Sequence, residues 1–189
     1  MSALGNGLHD AGHYEDALRV QEARLSMLRR LGYPEESILA VQNNLACTYQ
    51  RFGRFEEALR MWRDVYSAHL EHNGEEHEKT LLAANNYATS LHKAERFEEV
   101  KSLLRKTVPV ARRVLGDCHD LTLGMRCVHA VALFQDDNAT LDDLREAATT
   151  LEDAGRIARR VFGGAHPLAA GIESALRESR AILAACETP

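Results

Sequence analysis

Gly53-Arg54-Phe55-Glu56-Glu57-Ala58-Leu59-Arg60 decides the fold, because the chain says it three times. An earlier copy reads Gly12-His13-Tyr14-Glu15-Asp16-Ala17-Leu18-Arg19, and a later one reads Glu95-Arg96-Phe97-Glu98-Glu99-Val100-Lys101. The aromatic advances by 41 and then 42 positions. A second marker keeps the same step: glycines stand at Gly32, Gly74 and Gly116, and Asn43-Asn44-Leu45-Ala46 returns as Asn85-Asn86-Tyr87-Ala88. Two markers in one register define a structural repeat. A fourth, looser copy places Leu141-Asp142-Asp143-Leu144 where Phe97-Glu98-Glu99-Val100 stood. Its closing Gly163 comes 47 residues after Gly116, which predicts extra residues in the turn from Gln135 to Thr140 and in the helix that follows.

Inside each unit the apolar spacing is helical. Phe55, Ala58, Leu59, Trp62, Val65, Tyr66 and Leu70 fall on one stripe at the i, i+3, i+4, i+7 spacing of a helix that faces a core. Acidic pairs open the helices (Glu56-Glu57, Glu98-Glu99, Asp142-Asp143) and arginine pairs close them (Arg29-Arg30, Arg112-Arg113, Arg159-Arg160), in the sense that complements the helix dipole. The glycines then end the helices, where a left-handed backbone is commonly required. Each unit is thus a pair of antiparallel helices, and one such hairpin buries its stripe only by stacking on the next. The expected class is all-α: a right-handed α-α superhelix, or solenoid, of about four hairpins, with units at about 1–34, 35–76, 77–118 and 119–166 and a C-terminal capping helix over 167–186. Pro109 falls inside the second helix of the third unit, where the loss of a hydrogen bond predicts a bend near Arg105.

Composition limits the function classes. The 189 residues carry a net charge of −5, 45% hydrophobic and 27% charged side chains. An acidic balance argues against a general grip on nucleic acid, and charge interrupts every stretch that would otherwise span a membrane. Met1 to Asn6 show neither the basic start nor the apolar run of a signal peptide, so a cytoplasmic address is expected. Cys47, Cys118, Cys127 and Cys186 form no CxxC pair and read as reduced thiols.

The repeat resembles the tetratricopeptide repeat in its long, roughly 42-residue form of the kinesin-light-chain type. The resemblance rests on Asn43 to Ala46 and Asn85 to Ala88, on Gly53 before an aromatic, on small Ala17 and Ala58 at the close helix contact, and on the boundaries Leu115-Gly116-Asp117-Cys118-His119 and Phe162-Gly163-Gly164-Ala165-His166-Pro167. It implies a non-catalytic protein-interaction module, an adaptor or scaffold, which holds a peptide segment or partner helix on a concave face built from the first helix of each unit. Carried over position by position, that face comprises Asn6, His9 and Asp10 in the first unit. In the second unit it comprises Asn43, Asn44, Cys47, Gln50 and Arg51, and in the third Asn85, Asn86, Thr89, His92 and Lys93. The fourth contributes Cys127, Val128, Val131 and Phe134, giving a polar trough that turns apolar. An asparagine amide both donates and accepts, so it pairs well with a peptide backbone; it serves equally to cap neighbouring helix groups. Arg51 and Lys93 would attract a carboxylate. The alternative is a structural or self-associating segment of a larger protein, with apolar surface near Leu4, Leu8 and Leu18 at the N-terminal edge covered by another copy.

Catalytic and metal chemistry find little support. The run His69-Leu70-Glu71-His72-Asn73-Gly74-Glu75-Glu76-His77-Glu78 lacks the i, i+4 ligand pair of a helical zinc site. His77, His119 and His166 recur at unit boundaries, which predicts helix caps or linker packing. No nucleophile elbow, P-loop or dinucleotide fingerprint is present, and the paired carboxylates obey the repeat where a catalytic pair would break it. No cofactor, metal, nucleic acid or membrane is expected. Asn138-Ala139-Thr140 matches a glycosylation sequon and is expected to be only a turn.

Overall fold

The computed structural model describes residues 14–187, which are helical throughout apart from short connections. The helices are α1 (Tyr14–Arg30), α2 (Glu35–Arg51), α3 (Phe55–Asn73), α4 (Glu78–Lys93), α5 (Phe97–Leu115), α6 (Asp120–Gln135), α7 (Leu141–Phe162) and α8 (Pro167–Glu187). They pack as sequential antiparallel pairs, a tetratricopeptide-like solenoid. The chain divides into two compact units, Met1–His72 and Asn73–Pro189. Asn6, His9 and Asp10, together with Leu4 and Leu8, lie outside the described residues.

In the first unit α1 and α2 meet along a seam that is apolar at the centre and polar along one side. Ala17, Leu25, Leu28, Leu39, Val41, Leu45 and Ala46 are buried. Beside them the Thr48 hydroxyl donates to Gln21 Oε1 at 3.0 Å and the Tyr49 hydroxyl to Glu22 Oε1 at 2.8 Å. Burial, and then the hydrogen bond to Glu22, hold the Tyr49 phenol up at about 12. The stripe of α3 narrows to Ala58, Leu59, Trp62 and Val65; Phe55 and Leu70 at its two ends are exposed. Trp62 ties α3 to α2 by donating from Nε1 to Asn43 Oδ1 at 3.2 Å.

The second unit has α6 at its centre, in contact with α4, α5, α7 and α8. Leu123, Ala130, Leu133 and Phe134 of α6 join Leu144, Ala147, Leu151, Ala154 and Ala158 of α7 and Ala169, Ile172 and Ala175 of α8 in one core. Gly155 faces α8 closely, since a Cβ there would lie 3.4 Å from the Ile172 side chain. The longer fourth repeat is accounted for by a turn of five residues in place of three and a helix of 22 residues in place of 19. In that turn Asp136 Oδ1 accepts from the Asn138 backbone N–H at 2.9 Å, and Thr140 and Asp143 form a reciprocal capping box that starts α7. Helix α5 runs through Pro109 to Leu115 as one span.

One core position is filled by charge. Lys101 stands 42 residues after Leu59 and is as buried as a core leucine, with its Nζ 2.7 Å from Asp136 Oδ2 and 2.5 Å from Glu98 Oε1. The ammonium, followed by the Asn138 N–H, holds the Asp136 carboxyl down at about 2.

The connections use two devices. After α2 the Arg54 N–H donates to the Tyr49 carbonyl at 2.9 Å across Gly53, whose φ is 76°; after α4 the Arg96 N–H donates to the Leu91 carbonyl at 3.0 Å across Glu95, whose φ is 57°. Both are Schellman closures, and the second puts a glutamate where the backbone favours glycine. The joint from α1 to α2 closes in the same way, the Tyr33 N–H donating to the Leu28 carbonyl at 3.0 Å across Gly32, whose φ is 63°. The later joints between repeats use the second device. Gly116 has φ 89° and ψ 163°, a region essentially restricted to glycine, and three residues later His119 caps the next helix. The cap recurs: His77 Nδ1 accepts from the Lys79 N–H at 3.1 Å, His119 Nδ1 from Leu121 at 3.2 Å and His166 Nδ1 from Leu168 at 3.3 Å. These histidines are helix caps, as their recurrence in the sequence predicts.

Candidate binding face on the first helices

The implied face falls on α2 in the first unit and on α4 and α6 in the second. On α2, Asn43, Asn44, Cys47 and Gln50 are half-buried and Arg51 is exposed. Asn43 gives its side-chain oxygen to Trp62, so that oxygen turns into its own hairpin. The Asn44 backbone carbonyl lies 3.1 Å from Thr48 Oγ1 and competes with Gln21 Oε1 for its one proton. Toward the C-terminal turn the Arg54 guanidinium lies 4.5 Å over the Tyr49 ring and pairs with Glu57 at 2.8 Å, leaving the last helical turn of α2 strongly polar.

On α4 the same series reads Asn85, Asn86, Thr89, His92 and Lys93, with Lys93 exposed and the others half-buried. The Thr89 hydroxyl donates to the Asn85 carbonyl at 2.8 Å, within its own helix. His92 reaches across to α6, with Nε2 2.8 Å from Gln135 Oε1 and its ring edge-on to Phe97 at 5.7 Å between centroids. Asn85 Oδ1 is buried and has no hydrogen-bond partner. The repeat explains why: Asn85 follows Asn43 by 42 positions, and Leu104 follows Trp62 by 42, so the donor that served the first asparagine is an aliphatic side chain in the next unit.

The α6 positions differ from the expected apolar end of a trough. Phe134 is buried, and Cys127 and Val131 pack against the core shared with α7 and α8. Burial pushes the Cys127 thiol up to about 11, which keeps it protonated and unreactive at neutral pH. The apolarity of α6 is that of a helix enclosed on several sides. The histidine-rich run between α3 and α4 is likewise occupied: His72 Nε2 lies 3.0 Å from Glu35 Oε2, its Nδ1 2.8 Å from the Ala68 carbonyl oxygen, and His77 is a cap. Among the described residues no three His, Cys, Asp or Glu side chains converge as a metal ion requires, and no helix is long and apolar enough to cross a membrane.

Residues 37–113 match the tetratricopeptide repeat family model. No curated protein sequence matches the chain. A putative kinesin light chain of Podosopora anserina with nearly identical TPR-like repeats superposes with a TM-score of 0.73 at 21% identity, over 99% of this chain and 95% of that one. A point-substituted form of that protein gives 0.75 at 20% identity, over 99% and 94%. BtubC (BKLC) from P. vanneervenii gives 0.64 at 15% identity, over 100% of this chain and 80% of that one. At these identities the likeness to the solved structures is one of fold.

Proposed function

We propose, from the premise that this chain is a tetratricopeptide-repeat protein with kinesin-light-chain-like repeats, that it binds an extended peptide segment on its first helices. Tetratricopeptide domains are in general protein-interaction modules and typically non-catalytic. The observation that carries the finer reading is a repeated one. The last turns of α2 and α4 each present a half-buried hydrogen-bonding side chain followed by an exposed cation, Gln50 with Arg51 and His92 with Lys93. Rigid helices hold these groups in place before a partner arrives, so little ordering entropy is lost on binding. Asn44, Asn86 and Thr89 stand one and two turns earlier on the same helices and supply amide and hydroxyl groups suited to a peptide backbone. An acidic residue in the partner would answer Arg51 or Lys93.

A peptide-display selection on the purified chain tests this, with an Arg51→Glu, Lys93→Glu variant as the counter-screen. An enriched acidic motif that is lost on the folded variant supports the reading. Convergence on no motif, or a motif that survives the charge reversal, removes the assigned residues and shifts weight to a structural or self-associating role.

A further inference from the structure

A cleft of about 240 Å³ opens in the second unit, walled by the second helices α5 and α7 with α6 as its floor. It is separate from the side chains assigned above to the peptide. Two floor residues one turn apart, Arg126 and His129, are only 7% and 9% exposed. Arg126 donates from Nη2 to Asp153 Oδ2 at 2.6 Å, but its Nη1 is buried with no partner, and so is His129 Nε2. A guanidinium keeps its protons at any physiological pH, so Nη1 remains a buried donor in want of an acceptor.

Two further features narrow what would supply it. Leu104, Val108 and Pro109 give the cleft an apolar wall. Leu104 stands where the preceding repeat has the larger Trp62. Arg105 adds positive charge, Arg112 is committed to Asp117, and Glu146 on the α7 side adds negative charge that discourages a multiply charged guest. Burial lowers the His129 pKa, with Arg105 and Lys101 acting in the same sense and Glu146 opposing, so the ring is neutral at pH 7 and is able to donate from Nε2 in one tautomer.

We propose that this cleft binds a small organic monocarboxylate, one whose oxygens accept from Arg126 Nη1 and His129 Nε2 while a short apolar body lies against Val108 and Pro109. A water molecule would satisfy the same donors, but the cleft has room for several and its apolar wall gives them poor partners.

The test titrates the full chain with isovalerate, isovaleramide and inorganic phosphate while following the side-chain NMR signals of Arg126 and His129. Isovalerate is expected to shift both signals saturably with a Kd on the order of millimolar, a fitting strength for so small a ligand. The neutral amide and phosphate should each bind at least about tenfold more weakly. His129→Gln should weaken isovalerate binding, and Val108→Trp, a change at a half-buried wall position, should abolish it by filling the cleft. The proposal is overturned by the absence of a saturable shift up to about 50 mM, by an equal response to the amide, by tighter binding of phosphate, or by unchanged binding in folded Val108→Trp.

Discussion

Glu95 and Asn85 show how far single residues depart from the repeat that places them. Glu95 sits in the left-handed region with φ 57°, at the position where Gly53 closes the preceding unit. A side chain there costs about 1–2 kcal/mol, partly offset by the freedom that glycine loses on folding. Glu95→Gly should therefore raise the unfolding free energy by about 0.5–1 kcal/mol in urea denaturation; an equal loss would mean that the glutamate makes a compensating contact. The asparagines behave oppositely although the sequence aligns them. Asn43→Leu removes the acceptor of the buried Trp62 indole and should cost about 1–2 kcal/mol. Asn85→Leu removes an unpartnered acceptor beside a core and should be neutral or stabilising. A cost for Asn85→Leu equal to that of Asn43→Leu would contradict this assignment. The sequence alone made both look like groove residues, because Asn-Asn-Leu-Ala is the same phrase twice. What separates them is the side chain 19 residues downstream, tryptophan in one case and leucine in the other.

Helices are joined through their ends, and the ends set two further expectations. Helix α5 is tied to the end of α6 by Lys101 and Asp136, both buried. Asp136→Ala leaves the buried ammonium with only the largely exposed Glu98 carboxylate and should destabilise by about 2–3 kcal/mol, whereas adding Lys101→Leu, which restores the leucine of the preceding repeat, should recover most of that loss. The same pair shapes the acid response. Asp136 titrates at about 2 when folded against an ordinary 3.8, so its contribution is complete above pH 4 and disappears as pH falls through about 2. The urea midpoint of the parent should fall more steeply between pH 4 and pH 2 than that of the Lys101→Leu, Asp136→Ala protein; parallel profiles would remove Asp136 as the cause. At the other end of the element, His119→Ala should cost about 0.5 kcal/mol through the lost cap of α6, the Asp120 carboxylate retaining the Leu121 N–H at 2.7 Å, with His119→Asn retaining most of the cap. Thermal melts of the two variants decide this, and identical melting temperatures would deny the histidine its capping role. The caps were legible because three histidines each stand three residues after a boundary glycine, Gly74, Gly116 and Gly163. The ion pair was not, because a lysine on an apolar stripe reads as an interruption until the fold brings Asp136, 35 residues on, beside it.

Over the whole molecule the periodicity determined helix number, order and pairing, since hairpins with one apolar stripe have few ways to bury it. The sequence misjudged where the interior lies. Cys127, Val131 and Phe134 read as the apolar end of a binding trough, yet α6 is apolar because α4, α5, α7 and α8 all pack on it. That enclosure predicts the slowest amide hydrogen exchange of the second unit in α6, ahead of α4 and α8. Equal protection across these helices would mean that the unit opens only as a whole. The joints between repeats carry a different consequence. Across Gly116 and again across Gly163 the histidine N–H donates to the glycine carbonyl, at 3.4 Å and 3.2 Å, and the histidine ring then takes an N–H of the next helix. Each joint closes locally, on the last turn of the helix it ends and the first turn of the helix it begins. A recombination event that cut at one joint and rejoined at the other would delete 47 residues and leave a single intact joint behind. Between these two joints the repeat number is thus able to change by a whole unit with the reading frame of the fold preserved.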